Sequence, residues 1–391
     1  MTTAEQTQGP TRNGSGLEAP NGSRTRLNAL VAWFDSMATN VFILPAVLVI
    51  LFLALVPLFL SLYVSLTRLS FGQGSFVLTF VGLDNYAKLL VGIDHVHFLG
   101  LWADPSPIGW LVLGLVILAF AWWLIRYVRG GEFAVGGLVG RIVVASVVTV
   151  LVWIMVQTIA NSGRPGTVGV TLIYVFVDMF FQYMIGLGLA MLCIQHIPGR
   201  RFFRVVFLLP MMITPVGVAY TFRMLADTYK GPFYPVWIAL GLGGTSWADN
   251  AWGARIAVMV GDIWQWTPFM FIVLLAALES QSIEEVEAAV VDGANQWQIF
   301  WSITLPSILP VSTTLILIRM IEAFKIIDLP NVLTNGGPGT ATESMSLHAY
   351  TLWRVLDVGG SAAIAYMLLI LVTFSAMSFV NLVRTRAQAV I

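Results

Sequence analysis

The chain has 391 residues, 58% of them apolar and 10% charged, with a formal net charge of zero and a mean hydropathy of +0.85. Soluble domains carry about 45–50% apolar residues, so this composition excludes an ordinary soluble enzyme and points to lipid as the solvent. The balanced charge gives no nucleic-acid signal, and a single cysteine, Cys193, excludes an internal disulfide and a cysteine-based metal cluster.

Residues 1–28 are rich in Gly, Ser, Thr, Asn and Pro and carry too little apolar surface to offset the entropy of ordering. A disordered cytoplasmic tail over 1–40 is expected. The first apolar run starts at Val41 and is too long for a signal-peptide core, which predicts an uncleaved anchor. About 20 apolar residues cross a bilayer core. Eight segments meet that length: 41–67, 108–128, 142–160, 170–194, 203–225, 256–278, 308–327 and 362–383. Between the first two lies a loop, 68–107, expected outside the cell. Trp122 and Trp123 beside Arg126 read as an interfacial anchor on a hairpin, 108–160.

Orientation follows from the basic residues. With the amino terminus inside, Arg12, Arg24, Arg26, Arg126, Arg129, Arg141, Arg200, Arg201, Arg204, Arg384 and Arg386 are cytoplasmic, eleven against six outside: Arg68, Lys88, Arg164, Lys230, Arg255 and Arg354. The positive-inside rule then puts both termini and the short tail 384–391 in the cytoplasm.

The segment 279–306 is cytoplasmic in this topology. Ser282 with Glu285 three residues later has the capping-box pattern, followed by Ile283, Val286, Ala289 and Val290 at helical spacing beside three glutamates. Gly293 permits a turn that a β-carbon resists, and a second amphipathic piece from Gln296 to Thr304 runs to Pro306. Taken alone, this reads as a helix, an elbow and a second helix lying across the membrane surface.

Glu287-Ala288-Ala289, Gly293 four residues after Ala289, and Ile303, Leu305 and Pro306 resemble the E-A-A-x3-G-x9-I-x-L-P loop of ATP-binding-cassette importer permeases. Thr334, Gly336-Gly337-Pro338 and Thr342 resemble the T-x-G-G-P-x3-T signature of maltose-type carbohydrate permeases, in their maltose-permease F-like half. Val81-Gly82-Leu83-Asp84-Asn85-Tyr86, Gly199-Arg200-Arg201-Phe202-Phe203-Arg204 and Leu209-Pro210 agree with the same family. The resemblance covers the first span and Val170 onward, so 170–383 is the permease core, and the hairpin 108–160 is an insertion into a six-span plan.

The resemblance implies an all-α type I importer permease in a bacterial inner membrane, moving an oligosaccharide, a disaccharide such as an α-glucoside, or a polyol. It implies a second permease subunit of the maltose-permease G-like kind, two ABC ATPase subunits and an extracytoplasmic solute-binding protein. Glu287 would make the salt-bridging contact to the ATPase, Gly293 the elbow, Ala288 and Ala289 the close-packing surface, with Asp292 within the same loop. Lys88, Lys230 and Lys325 are the only lysines and none follows a glycine, so the chain has no P-loop. ATP and magnesium are expected on the partner, with no cofactor and no catalytic residue here. A permease for glycerol-phosphate or another anion, using Arg319 and Arg223, and an ATP-independent secondary transporter are the alternatives.

Polar groups inside spans cost about 2.5–3.5 kcal/mol at mid-membrane unless paired or wet. Asp262, Gln265, Trp266 and Phe269 recur on one helix face, suited to a sugar whose hydroxyls need hydrogen bonds and whose ring face packs on aromatics. Interhelical packing is the competing reading. Arg319, Glu322 and Lys325 are spaced by three, so Glu322 can neutralise either neighbour, or Arg319 can face substrate. Asp178 is open between structural and functional roles. His95-Val96-His97 lacks an evident third ligand and reads as a loop, so no metal site is expected.

Overall fold

The computed structural model describes residues 22–72, 75–130, 135–159, 163–195, 198–241 and 250–387. It divides into two units, 1–61 and 62–391. In the first, residues 1–21 lie outside the described region, and α1 (Gly22–Ser65) carries a candidate span, Val41–Ser65. The expected tail is therefore helical from residue 22. Leu27, Ala29, Leu30 and Ala32 are helix formers adjoining the apolar run, and they let the helix propagate backward from it.

The second unit opens with an antiparallel hairpin, β1 (Thr67–Gly72) and β2 (Ser75–Phe80), paired from Thr67 opposite Phe80 to Gly72 opposite Ser75. Two short helices follow, α2 (Asp84–Leu90) and α3 (His95–Phe98), then β3 (Gly100–Leu101). The loop expected over 68–107 thus has strands and helices of its own. Its V-G-L-D-N-Y stretch has a fastening role: Asn85 Nδ2 donates to the carbonyls of Ser65 (2.8 Å) and Thr67 (2.9 Å), and the Tyr86 hydroxyl lies 2.8 Å from Ser65 Oγ.

The inserted hairpin is α4 (Pro107–Arg129) and α5 (Val135–Ile159). Ser106 caps α4, its hydroxyl accepting from Gly109 N at 3.1 Å with Pro107 at the first position, where a missing N–H costs nothing. Near its turn the Arg141 guanidinium lies 3.5 Å from the Tyr127 ring centre and 5.0 Å from that of Trp123, with Arg126 over Trp122 at 5.4 Å. The aromatics expected to anchor the hairpin are therefore paired with its cations.

The strand β4 (Arg164–Pro165) pairs with β3, and α6 (Thr167–Ile173) continues through a wide turn, Tyr174–Asp178, into α7 (Met179–Ile194). The fifth segment departs from expectation. The sequence reads as one apolar run over 203–225, yet α8 (Arg200–Met212) and α9 (Pro215–Ala226) meet at 96°. Thr214 starts α9 as a cap, its hydroxyl accepting from Gly217 N at 3.3 Å, and Pro215 cannot extend α8. Then come α10 (Tyr234–Ala239), α11 (Ala251–Glu279), α12 (Ile283–Val291) and α13 (Gln296–Ile299). A wide turn, Phe300–Thr304, joins α13 to α14 (Leu305–Ala323), so the seventh span begins at Gln296 rather than at 308. After another wide turn, Pro330–Thr334, α15 (Met345–Arg354) and α16 (Val358–Ala387) complete the described chain, and residues 388–391 of the expected tail lie outside it. Among the described residues seven helices are long and apolar enough to cross a membrane, eight with the bent pair counted as a span. Apart from the two small sheets the fold is helical.

The core centres on α7 against α11. Leu187 and Ala190 pack with Met270, Phe271 and Leu274, and α14 adds Ile308 and Leu315. The approach is close because Gly186 has no side chain: a β-carbon there would sit 2.6 Å from Met270 Cβ and 3.0 Å from the Phe271 nitrogen. Nothing lies within 4 Å of a β-carbon on Gly188. Gly186→Val is accordingly expected to destabilise the chain by about 1–3 kcal/mol through overpacking. Gly188→Val is expected to be nearly neutral, and thermal unfolding of the two variants in detergent, followed by tryptophan fluorescence, compares them. Equal melting temperatures would refute the close approach.

Candidate functional site

Three spans exchange their polar groups at one point. Arg319 on α14 donates from Nη2 to Asp262 Oδ2 on α11 at 2.5 Å and from Nε to Gln182 Oε1 on α7 at 2.9 Å. Gln182 closes the triangle, donating from Nε2 to Asp262 Oδ2 at 2.8 Å and to its carbonyl at 3.2 Å. The Arg319 guanidinium also lies 4.9 Å from the Trp266 ring centre. Asp262 and Arg319 are only 3% and 2% exposed, and Asp178, also buried, adjoins Asp262 where the wide turn ends. Asp262 and Arg319 neutralise each other with the Gln182 amide between them, the condition under which charge is tolerated in an apolar interior, whereas both Asp178 carboxyl oxygens are buried without a hydrogen-bond partner.

The expected stripe on α11 therefore divides. Asp262 and Trp266 turn to Arg319, Phe269 packs half-buried in the α7–α11 core, and Gln265 reaches the broken span. Its Nε2 donates to the Ile213 carbonyl at 3.4 Å, at the bend between α8 and α9, while its Oε1 is buried without a partner. Glu322 pairs with Lys325 at 2.6 Å, as their spacing suggests, but Arg319 is neutralised across the interface instead. Gln182 was not anticipated. Its signal was present, since it lies one helical turn after Asp178 and both are polar in an apolar run.

At the end of α11 lies the elbow. The Arg204 guanidinium on α8 donates to Glu279 at 2.5 Å and to the Cys193 carbonyl at 3.2 Å, tying the last turns of α11 and α7 to the start of the broken span. Then α12 ends in a paired motif: Gly293 N donates to the Val290 carbonyl (3.1 Å) and Ala294 N to the Ala289 carbonyl (2.9 Å). Gly293 has φ +85°, a left-handed conformation that costs other residues about 1 kcal/mol or more. The expected capping box at Ser282 and Glu285 is absent, as Ser282 makes no side-chain cap. The box forms one helix later, where Gln298 N donates to Asn295 Oδ1 (2.9 Å) and Asn295 N to Gln298 Oε1 (2.8 Å).

The loop residues sort by exposure. Ala289, Ile303 and Leu305 are half-buried, and Leu305 packs on the α7–α11 core. Glu287, Ala288, Asp292, Gly293 and Pro306 are exposed, and so are the apolar Ile283, Val290, Val291, Trp297 and Trp301. A β-carbon on Gly293 would meet nothing within 4 Å, so its outer face is open.

The Gly-Gly-Pro loop closes on itself. The hydroxyls of Thr334 and Thr342 lie 2.6 Å apart, Thr342 Oγ1 is 3.1 Å from the Gly337 carbonyl, and Thr342 N donates to the Gly336 carbonyl at 3.0 Å. Asn335 (φ 53°) and Gly336 (φ 81°) both turn left-handed there. From outside the loop, Arg255 Nε donates to the Ala341 carbonyl (2.6 Å), Tyr174 to that of Thr342 (3.2 Å) and Arg223 Nη1 to that of Val332 (3.0 Å). The two threonines are spaced by eight residues because they form the clasp.

Residues 143–388 match the family described as binding-protein-dependent transport system inner membrane component. The chain is 32% identical over 217 residues to the trehalose/maltose transport system permease protein MalF of Thermococcus litoralis, over 56% of this chain and 74% of that one. It is 30% identical over 206 residues to the multiple sugar-binding transport system permease protein MsmF of Streptococcus mutans, over 52% and 71% of the two chains. In fold it resembles a chain of a bacterial ABC transporter involved in import of the acidic polysaccharide alginate, with TM-score 0.52, 22% identity, and 56% and 78% covered.

Breaking the triangle is expected to be costly. Arg319→Ala strands the buried Asp262 carboxylate and should lower stability by about 3–5 kcal/mol, whereas the pair Arg319→Met with Asp262→Leu should recover most of that loss. Thermal unfolding of the purified variants tests this. An Arg319→Ala chain as stable as the wild type would show that the ion pair contributes nothing to holding α11 and α14 together.

Proposed function

Because the chain belongs to the family of binding-protein-dependent transport system inner membrane components, we propose that it is the translocation subunit of an ATP-driven sugar importer, coupled through residues 279–306 to a separate ATPase. The observation that carries the coupling is the elbow itself. It is a helix pair about a left-handed Gly293, with an exposed apolar and acidic outer face and no partner for that face among the described residues. Glu287, Ala288, Asp292, Gly293 and Pro306 form the docking surface, while Ala289, Ile303 and Leu305 seat the elbow on the spans.

Sugar is favoured as cargo by the likeness to the trehalose/maltose and multiple-sugar permeases. An oligosaccharide, disaccharide or polyol would meet the chain at the bend of the broken span. Non-helical backbone at membrane depth is tolerated where it lines a cavity or is covered by protein. Gln265 offers an unpartnered amide oxygen beside that bend, with Trp266 and Phe269 on the same helix face. Asp262 and Arg319 serve as the latch behind this surface. The pairing of Arg319 with Asp262 weighs against Arg319 as the receiver of an anionic cargo, which leaves the exposed Arg223, bonded to the Val332 carbonyl, as the cation that the anion reading would use. The sequence holds no glycine-lysine pair for a phosphate-cradling loop, which supports placing ATP and magnesium on the partner. The working assembly then contains a second permease subunit, two ATPases and an extracytoplasmic binding protein. It sits in a bacterial inner membrane with lipid around the spans and both termini of this chain inside.

Gly293→Leu and Glu287→Lys are expected to leave the chain in the membrane but abolish uptake and substrate-stimulated ATPase activity in reconstituted vesicles. Gln265→Ala should instead weaken uptake by roughly 2- to 13-fold, the worth of one hydrogen bond, with basal ATPase activity kept. Normal uptake with either elbow substitution would sink the docking assignment. Loss of assembly with Gln265→Ala would make that face packing rather than pathway.

Topology has its own test. In a Cys193→Ala background, cysteines at Gly130 and Asn295 should resist an impermeant thiol reagent applied outside intact cells, and one at Asn335 should react. Labelling at position 130 from outside would reverse the hairpin.

A further inference from the structure

His97 and His348 are 251 positions apart in the sequence, and no spacing connects them. In the fold, α3 brings His97 against Glu343 and His348, which flank the start of α15. His97 Nε2 lies 2.7 Å from Glu343 Oε2, and the two imidazole rings stack with centres 4.1 Å apart. One ligand atom from each of the three residues falls within 4.8 Å of the others. Glu343 and His348 are 6% and 3% exposed, while His97 is one-third exposed and opens the cluster to solvent.

Two buried atoms are left over. Glu343 Oε1 and His348 Nδ1 have no hydrogen-bond partner, an arrangement that costs about 1–3 kcal/mol per group in a closed interior. The His97–Glu343 hydrogen bond satisfies one oxygen of the carboxylate and one nitrogen of one ring and leaves the rest. A divalent cation replaces the shared proton and supplies a positive centre to all three residues at once. Two imidazoles and a carboxylate form a donor set suited to zinc, whose bonds to such atoms run about 2.0–2.2 Å and leave a fourth position for water. The three ligand atoms lie close enough to converge on one ion once the stacked rings turn, because an imidazole lone pair lies in its ring plane and the observed stack does not aim both at one point.

We propose that His97, Glu343 and His348 form a binding site for zinc or a similar borderline divalent cation, joining α3 to the loop that carries the Thr334–Thr342 clasp. Glu343 directly follows Thr342, and Phe98, beside His97, packs in the same core cluster as Met345. An ion here fastens the segment ahead of the inserted hairpin to the loop that Arg255 and Tyr174 hold from the other side. The site does not depend on the cargo or on the ATPase.

The test uses the full-length chain purified in detergent, stripped with chelator and titrated calorimetrically with zinc chloride, with cobalt as a visible-absorption probe. One equivalent of zinc, a ligand-field band on cobalt loading and a rise in melting temperature are expected. Glu343→Gln retains a hydrogen-bonding side chain of the same size, so its fold is comparable, and its melting temperature without metal verifies that. It and His348→Ala should each weaken zinc binding by about 100-fold or more, beyond the 10- to 100-fold typical of residues that only support ligands. His95→Ala, whose ring faces Trp102 instead, should bind as the wild type does. The proposal is overturned if the wild type takes up no stoichiometric zinc, if Glu343→Gln and His348→Ala bind as tightly as wild type, or if His95→Ala loses binding equally.

Discussion

Everything else in the core is arranged around a charge that cannot reach water. Arg319 sits between three spans, and an unpaired guanidinium there would cost more than most packing contacts return. Its attachment to Asp262 and Gln182 fixes the rotation of α14 about its own axis, the depth of α11 against it and the face that α7 presents to both. Apolar side chains alone leave such rotations nearly degenerate, because lipid is as apolar as leucine and no hydrophobic force separates one packing from another. The close passage of α7 over α11 at Gly186 then follows, since the triangle is satisfied only when those helices nearly touch.

The helix that holds this charge also reaches both ends of the molecule. Within α11, 29 residues long and so about 43 Å, Arg255 holds the Gly-Gly-Pro loop, Asp262 the triangle, Gln265 the bend of the broken span and Glu279 the start of that span through Arg204. Pro268 interrupts its hydrogen-bond ladder, and the Thr267 hydroxyl next to it donates to the Ile263 carbonyl at 2.6 Å, as membrane helices commonly do around proline. One element thus connects the clasp, the bend and the start of the broken span, and leads directly into the elbow. Rigid-body rocking of packed helices suits this geometry better than local unwinding does.

What was legible in the sequence was whatever depends on short-range chemistry. The apolar runs located seven of the spans, though α1 begins at Gly22, 19 residues before Val41, α5 at Val135, seven before Ile142, and the seventh span at Gln296 rather than 308, and Gly293 showed its left-handed turn because few other residues tolerate one. Legibility failed where partners come from far along the chain. Arg319 had Glu322 one turn away and an apparent answer in it, yet the fold supplies Asp262 and gives Glu322 to Lys325. Hydropathy could not show the 96° break after Met212, because an apolar run stays apolar when bent. Thr214 followed by Pro215 was the available sign, a cap and a first-position proline in the middle of a span. The strands β1 and β2 were hidden for a similar reason, since six residues of mixed polarity outside the bilayer carry little periodic signal.

The break also leaves apolar surface bare. Among the described residues the bend leaves side chains uncovered: Met212 is 77% exposed and Ile213 44%, at the point where Gln265 approaches. The elbow presents a second bare surface, with Val291 86% exposed on its outer face. The two surfaces differ in chemistry, since the first adjoins the bend where Gln265 donates to the Ile213 carbonyl and the second lies among the glutamates of α12. The helix α11 touches the bend through Gln265, ties the start of the broken span through Glu279 and Arg204, and leads along the chain into the elbow, so both bare surfaces are mounted on one element.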